Sequence, residues 1–348
     1  MNRSAATDVP RVSVAVPVFH GRDWIGRTIE TVLEQTFDDF EVVVFDNAST
    51  DDTVDVVRGY DDPRIRLFVN VRNLGFVRNQ NRAIAYGRGE LIKFLHADDA
   101  LLPHCMERMV ELFDRAPGLG LVFARRRIEL ADESDPNLQR WRATYADLTG
   151  GFSELQEVND GHRLFAEWLE ADFFGNWIGE PSSVMMSREC LARTGLFSPY
   201  VQIVNDIDLW LRALLQCGVG FLDEELTVYR ASRINLTSGL KGKQRDWLDP
   251  LWMLEALAAE TDALETFPRL RPLLAQTRRR ALSGLVRVVA ADPALAPEKL
   301  KDLRDYVSYR RKVARGVAPR LHPTLEEAAL TGLAPRLVPV GSACADSR

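Results

Sequence analysis

Two acidic turns carry the residue types that could do chemistry. Asp98 and Asp99 follow the apolar run Leu91–Leu95, with His96 beside them and no cysteine nearby. Carboxylates without thiolates suit a hard divalent cation, Mg²⁺ or Mn²⁺, rather than zinc. Such a cation keeps part of its water and bridges to substrate phosphates, so one or two protein carboxylates suffice. The same pair could instead cap the helix that opens near Pro103, since Asp is a favoured N-cap residue. The second turn, Asp46 to Thr53, follows the apolar run Glu41–Phe45 and is rich in Asp, Asn, Ser and Thr. It too is ordinary turn and cap chemistry when taken alone. The sequence contains no HExxH, no GxxxxGK[ST] and no GxSxG, and its Gly-x-Gly pairs (Gly87/Gly89, Gly118/Gly120, Gly218/Gly220) lack the third glycine of a dinucleotide fingerprint.

The elements around these turns predict how they are positioned. Val12–Val16, Glu41–Phe45, Ile65–Val69, Leu91–Leu95 and Leu119–Ala124 are short, nearly all-apolar runs. Between them lie helical patterns, the clearest being Trp24, Ile25, Ile29, Val32 and Leu33 on one face. Buried strands alternating with helices predict an α/β fold with a mostly parallel central sheet covered on both faces. In such sheets ligands bind beyond the carboxyl ends of the strands. Asp46 and Asp98/Asp99 sit immediately after strands, so both turns should converge on one rim. Residues 126–175 read as an excursion or flexible loop that returns to the sheet. Gly175–Ser183 reads as a tight structured segment, Val204–Cys217 as an amphipathic helix, and Trp247 to about Val317 as helical throughout.

Composition limits the alternatives. With 46% hydrophobic residues among 348, the chain can bury a large core, and 44 basic against 50 acidic residues leave a net charge of −6. That charge disfavours a general nucleic-acid binder, which needs clustered cations for phosphate. No stretch is long and apolar enough to span a membrane. Met1–Pro10 has no apolar signal core. The four cysteines (Cys105, Cys190, Cys217, Cys344) are widely spaced and read as reduced thiols. The expected location is therefore cytoplasmic. Arg269, Arg271, Arg278, Arg279, Arg280 and Arg287 lie among Leu273, Leu274, Leu282, Leu285 and Val286. They form either a basic surface for peripheral contact with the inner face of a membrane or a helix packed on the core with its arginines in water.

An ordered set of motifs resembles the family 2 glycosyltransferases of GT-A fold. Val14–Phe19, Thr31–Thr36 and Val43–Asp51 are similar to the family's opening segments. Asn73–Asn81 and Gly89–Asp99 are similar to its N-x-G and GEYIxFLDADD segments. Ile178–Ser182, Thr194–Phe197 and Asn205–Arg212 are similar to its acceptor half. The resemblance runs from about Val12 to Arg233. It implies a Rossmann-like GT-A fold with a nucleotide-sugar-binding half at 11–125 and an acceptor-binding half at 126–238. An N-terminal extension at 1–10, a helical region at 239–318 and a partly disordered tail at 319–348 complete the expected organisation.

The resemblance also implies roles. Asp46 would contact the base or ribose, with Pro17 and Val18 lining the base and Asn73 close by. Asp98 and Asp99 would bind ribose and the metal–diphosphate. Asp206 would be the general base on the acceptor hydroxyl. Arg230 or Arg233 would reach the diphosphate, and Trp177 an acceptor sugar. One base and no enzyme nucleophile imply inversion at the anomeric carbon. His96 stands where the family often has the first Asp of its metal motif, Asn205 where it has Glu, and Gln80 where many relatives have Arg. Arg78 could replace that last positive charge, although an exposed helix arginine is the plainer reading. Asp208 reads as a solvated helix residue. The expected activity is transfer of a sugar from a nucleotide sugar, a UDP-sugar foremost, to a hydroxyl of a glycan, lipid-linked or small-molecule acceptor. It would serve polysaccharide, cell-envelope glycan or glycoconjugate synthesis and use Mn²⁺ or Mg²⁺. The competing expectations are a nucleotidyltransferase, disfavoured by the Pro17–Arg22 loop, and a catalytically silent nucleotide-sugar binder.

Overall fold

A computed structural model describes residues 9–232, 248–259, 262–291, 296–315, 321–332 and 334–341. Its first half is built from parallel strands. β1 (Val12–Val18), β2 (Phe40–Asp46), β3 (Ile65–Val69) and β4 (Leu91–Phe94) lie side by side in the order β3-β2-β1-β4. Every residue of β1 and β2 is buried, as a strand covered on both faces requires. The pleat divides β2 cleanly: Val43 and Phe45 enter one core, Val42 and Val44 the other. Helices α1 (Ile25–Leu33), α2 (Thr53–Arg58) and α3 (Phe76–Tyr86) cross between these strands. α1 buries Ile25, Thr28, Ile29 and Val32, the stripe expected of a helix packed on a sheet. Gly89, before β4, lies so close to β1 that a Cβ there would sit 2.6 Å from the Ser13 nitrogen, so only glycine fits.

The second half completes a mixed sheet. β5 (Ala100–Leu101) and α4 (Cys105–Arg115) lead into the long strand β6 (Leu119–Leu130). The predicted excursion is structured: α5 (Pro136–Tyr145), β7 (Val158–Asn159) and α6 (Gly161–Glu170) precede β8 (Val184–Ser187), α7 (Arg188–Thr194), α8 (Asn205–Leu214) and β9 (Gly218–Ala231). β8 runs antiparallel between β4 and β6, β9 runs parallel to β6, and β5 and β7 pair antiparallel with β9. Four helices follow: α9 (Asp249–Ala259), α10 (Ala263–Thr266), α11 (Leu270–Ala291) and α12 (Ala296–Ala314). Among the described residues no helix is long and apolar enough to cross a membrane.

Within the segment expected as a partly disordered tail, α13 (Leu325–Leu330) packs on α3, and β10 (Arg336–Val338) pairs antiparallel with β3 at the sheet edge. Two expectations need correction. Asp208 is not a solvated helix residue but fully buried, bound by Arg212 at 2.9 Å and by His322 of the returning segment at 3.2 Å. Burial works to raise its pKa, but Arg212 and His322 outweigh that and hold it below the usual range. Cys190 and Cys217 are joined as a disulfide with Cα atoms 6.7 Å apart, so they are not both free thiols; Cys105 is free and buried.

Candidate active site

A cavity of about 840 Å³ opens beyond the carboxyl ends of β1 and β4. Pro17 and Val18 line it where β1 ends, and His96, Ala97 and Asp98 where β4 ends. Asn47 follows β2, while Asn73, Gly75, Phe76 and Asn79 come from the approach to α3 and its first turn. Glu180, Asn205 and Asp206 form the opposite side, and Trp24, Tyr229 and Arg230 complete it. The Arg230 guanidinium lies over the Trp24 ring, 3.3 Å from its centroid, where the ring's electron-rich face attracts a cation.

A web of amides holds the β1–β2–α3 side in place. Asn47 donates to Asn73 Oδ1 at 3.0 Å and accepts from the Leu74 N–H at 2.9 Å. Asn70 donates to both Asn47 (3.1 Å) and Asn79 (2.8 Å), and Asn79 donates to the Phe45 carbonyl at 2.8 Å. Asn73 thus faces the cavity with its carbonyl oxygen occupied. Asp46 is fully buried and does not line the cavity. Its Oδ1 accepts from the Ser49 N–H at 2.9 Å, whereas Oδ2 has no hydrogen-bond partner among the described residues. Burial pushes its pKa up. Arg78 is exposed on α3 and is not among the cavity residues, which agrees with the plainer reading of that side chain.

The adjacent aspartates separate. Asp98 faces the cavity. Asp99 is buried, and both its oxygens are taken: Ser182 donates to Oδ2 at 2.5 Å and the Arg230 N–H to Oδ1 at 3.0 Å. Burial, reinforced by Asp98, raises the Asp99 pKa well above the carboxylate range. Asp99, the other expected metal ligand, does not line this cavity. It ties the Ser182 and Arg230 segments together, and of the pair only Asp98 is among the cavity residues. His96 also lines the cavity, with its ring edge-on to Phe76 at 5.4 Å and its Nε2 unpartnered among the described residues. Burial lowers its pKa and keeps it neutral, as a metal-binding imidazole must be. One cavity-facing carboxylate and one neutral imidazole fit a divalent cation that draws its remaining ligands from phosphates and water. No group of three or more such side chains forms a complete cage among the described residues.

Asp206 sits in the first turn of α8. The Ile207 N–H donates to its Oδ1 at 2.8 Å and Asn176 to its Oδ2 at 2.9 Å. Burial pushes its pKa up to about 7; Glu180 adds to the rise, while the Ile207 and Asn176 hydrogen bonds oppose it. A carboxyl poised near neutrality is suited to accept a proton.

Several residues that sequence reasoning did not single out build this side. Glu180 pairs with the buried Arg126 at 2.5 Å. Trp210 holds the Gly179 carbonyl at 3.0 Å, and the buried Lys93 donates to the Ser182 and Val184 carbonyls, fixing the segment that carries Glu180. A second cavity, of about 1180 Å³, adjoins the first; Leu138, Glu180, Ile203, Asp206, Tyr229 and Ser232 line both. Trp177 lines neither and stacks on Trp168 at 5.7 Å. Arg233 lies outside the described residues.

Comparison with known proteins agrees with this architecture. Residues 13–166 match the family model described as glycosyl transferase family 2. The chain is 31% identical over 240 residues to the uncharacterized glycosyltransferase MJ1057 of Methanocaldococcus jannaschii, covering 67% of this chain and 76% of that protein. It is 26% identical over 356 residues to the succinoglycan biosynthesis protein ExoO of Rhizobium meliloti, covering 97% of each. Among solved structures it is similar in fold to S. aureus TarS 1–349 in complex with UDP-GlcNAc, with a TM-score of 0.60, 17% identity, and coverage of 85% of this chain and 80% of that one. The chain belongs to glycosyl transferase family 2, and it is a glycosyltransferase.

Proposed function

We propose that this enzyme transfers a sugar, with inversion, from a nucleoside diphosphate sugar to a hydroxyl acceptor in polysaccharide or cell-envelope glycan synthesis, at the cytoplasmic side of the membrane. A UDP-sugar is the favoured donor, as suggested by the UDP-GlcNAc bound to the structurally similar TarS. The polysaccharide setting is suggested by ExoO, which resembles the chain over nearly its whole length.

One observation carries the reading: Asp98 and Asp206 line the same cavity from opposite halves of the fold, and Asp206 is poised near neutrality. In this assignment Pro17, Val18 and Asn73 border the nucleoside, with Asp46 supporting the Ser49 turn beneath it. Asp98, with His96 beside it, would hold Mn²⁺ or Mg²⁺ against the diphosphate. When bound, that cation offsets the charge that develops on the leaving group. Asp206 accepts the acceptor's hydroxyl proton as that oxygen bonds to the anomeric carbon. The bond from that carbon to the diphosphate breaks, and its electron pair leaves with the nucleoside diphosphate. Displacement from the opposite face inverts the centre. Holding donor and acceptor in adjoining cavities removes much of the entropic barrier.

The test is release of nucleoside diphosphate from a panel of nucleotide sugars with Mn²⁺ or EDTA. The expected result is metal-dependent release that Asp206→Asn abolishes while donor affinity persists. Donor binding without turnover in the wild type, whatever acceptor is offered, would instead establish a silent binder.

A further inference from the structure

The second cavity is not used in the proposed donor assignment, yet it shares Asp206 with the first. One wall is a single face of α11. Leu273, Thr277, Arg280, Gly284 and Arg287 recur at spacings of four, three, four and three residues, and all five line the cavity. The arginines of this helix and its approach divide by direction. Arg278, turned to the protein, binds the buried Glu255 at 2.8 Å, and Arg269 binds Glu170 and Asp172. Arg280 and Arg287, turned to the cavity, have no ion-pair partner among the described residues. They lie seven residues apart, about 10 Å along the axis, which lets two long side chains converge on one diphosphate. The rest of the lining is mostly apolar, with Trp141 stacked on Tyr229 at 5.5 Å and Met253 and Leu254 contributed by α9; of its carboxylates, Asp172 and Glu180 are already paired with Arg269 and Arg126, which leaves Asp206.

We propose that this cavity is the acceptor subsite and that it takes an anionic amphiphile. The apolar body lies along the aromatic and aliphatic wall, a phosphate or diphosphate pairs with Arg280 and Arg287, and the reacting hydroxyl reaches Asp206. A neutral ligand leaves two guanidinium groups unmatched, and a bare anion leaves most of the lining unused. Arginine forks match phosphate oxygens in bidentate geometry, which makes this the chemistry the wall selects. Only the role of Asp206 here rests on the transferase reading; the paired arginines and the apolar wall do not.

The experiment uses the full chain in EDTA, so that a metal cannot draw the probe into the donor cavity. Farnesyl diphosphate, farnesol and inorganic diphosphate are titrated, and binding is read by calorimetry and by Trp fluorescence. Farnesyl diphosphate should bind at least tenfold more tightly than either control. Arg280→Gln/Arg287→Gln should weaken it at least tenfold, while Arg279→Gln, exposed on the same helix but outside the cavity, leaves it unchanged. Equal binding by the double variant, equal binding of inorganic diphosphate or farnesol, or no binding of farnesyl diphosphate overturns the proposal. Donor turnover is measured on the same proteins with Mn²⁺ in place of EDTA. Probe binding without turnover would sink the transferase reading and leave the subsite standing; turnover without probe binding would do the reverse.

Discussion

Asn176→Ala should move the pH dependence of transfer rather than simply reduce it. In the wild type the Asn176 amide donates to Asp206 at 2.9 Å and favours the ionised carboxylate, while burial has already pushed the pKa to about 7. A hydrogen bond to a charged group contributes roughly 1.5–3 kcal/mol, and about 1.4 kcal/mol corresponds to one pKa unit. Taking the lower figure, removal of the amide raises the pKa to about 8. At pH 7 the ionised fraction then falls from about a half to about a tenth, a loss of about fivefold in kcat/KM. At pH 9 the carboxylate is ionised in both proteins, and the deficit should nearly vanish. The sign follows from the role: a base works when ionised, so raising its pKa moves the acid limb to higher pH. Glu180→Gln supplies the opposite sign. Removing a negative charge that disfavours ionisation should move the acid limb down. The assay is kcat/KM for nucleoside diphosphate release from pH 5.5 to 9.5. A uniform loss in Asn176→Ala across that range, with no displacement of the limb, would refute the assignment of Asp206 as the base.

Three further outcomes can be checked with single substitutions. Asp98→Asn should raise the KM for donor at least tenfold and abolish the response to Mn²⁺, whereas Asp99→Asn should act on the fold by disturbing its Ser182 and Arg230 contacts. A melting temperature lowered in Asp99→Asn and unchanged in Asp98→Asn separates the two. Asp206→Asn should gain stability over the wild type between about pH 4 and pH 7 and keep that gain above it. The native carboxyl titrates near 7 but the unfolded one near 3.9, so the wild type loses stability as pH rises through that interval; matched melts at pH 4 and pH 8 test this. Arg212→Met should cost about 3–5 kcal/mol in urea unfolding, because it strands the buried Asp208 carboxylate with only His322 beside it.

The parts of the fold that repeat locally were legible. The continuous apolar run of β2 and the one-sided stripe of α1 are written in neighbouring residues, so strand and helix order through residue 125 could be read from the pattern. The ordered motifs added the family. What could not be read was the direction of individual side chains. Asp98 and Asp99 are adjacent and chemically alike; Asp99 turns inward because Ser182 and Arg230, 83 and 131 residues away, supply its donors. Asp208 looked solvated because its partner His322 lies far along the chain. The amide web of Asn47, Asn70 and Asn79 leaves no periodic trace, although two asparagines just past strand ends, Asn47 and Asn70, were a signal that such a web was needed. Glu180 stood within a recognised motif but gained its place beside Asp206 only from the packing of Trp210 and Lys93 beneath it.

The returning strand β10 also bears on how the molecule is made. Until residues 336–338 leave the ribosome, β3 is an open sheet edge with free amides and carbonyls, a template for pairing with other chains. The donor-side half of the molecule waits for residues more than 260 positions further along before its outer border is closed.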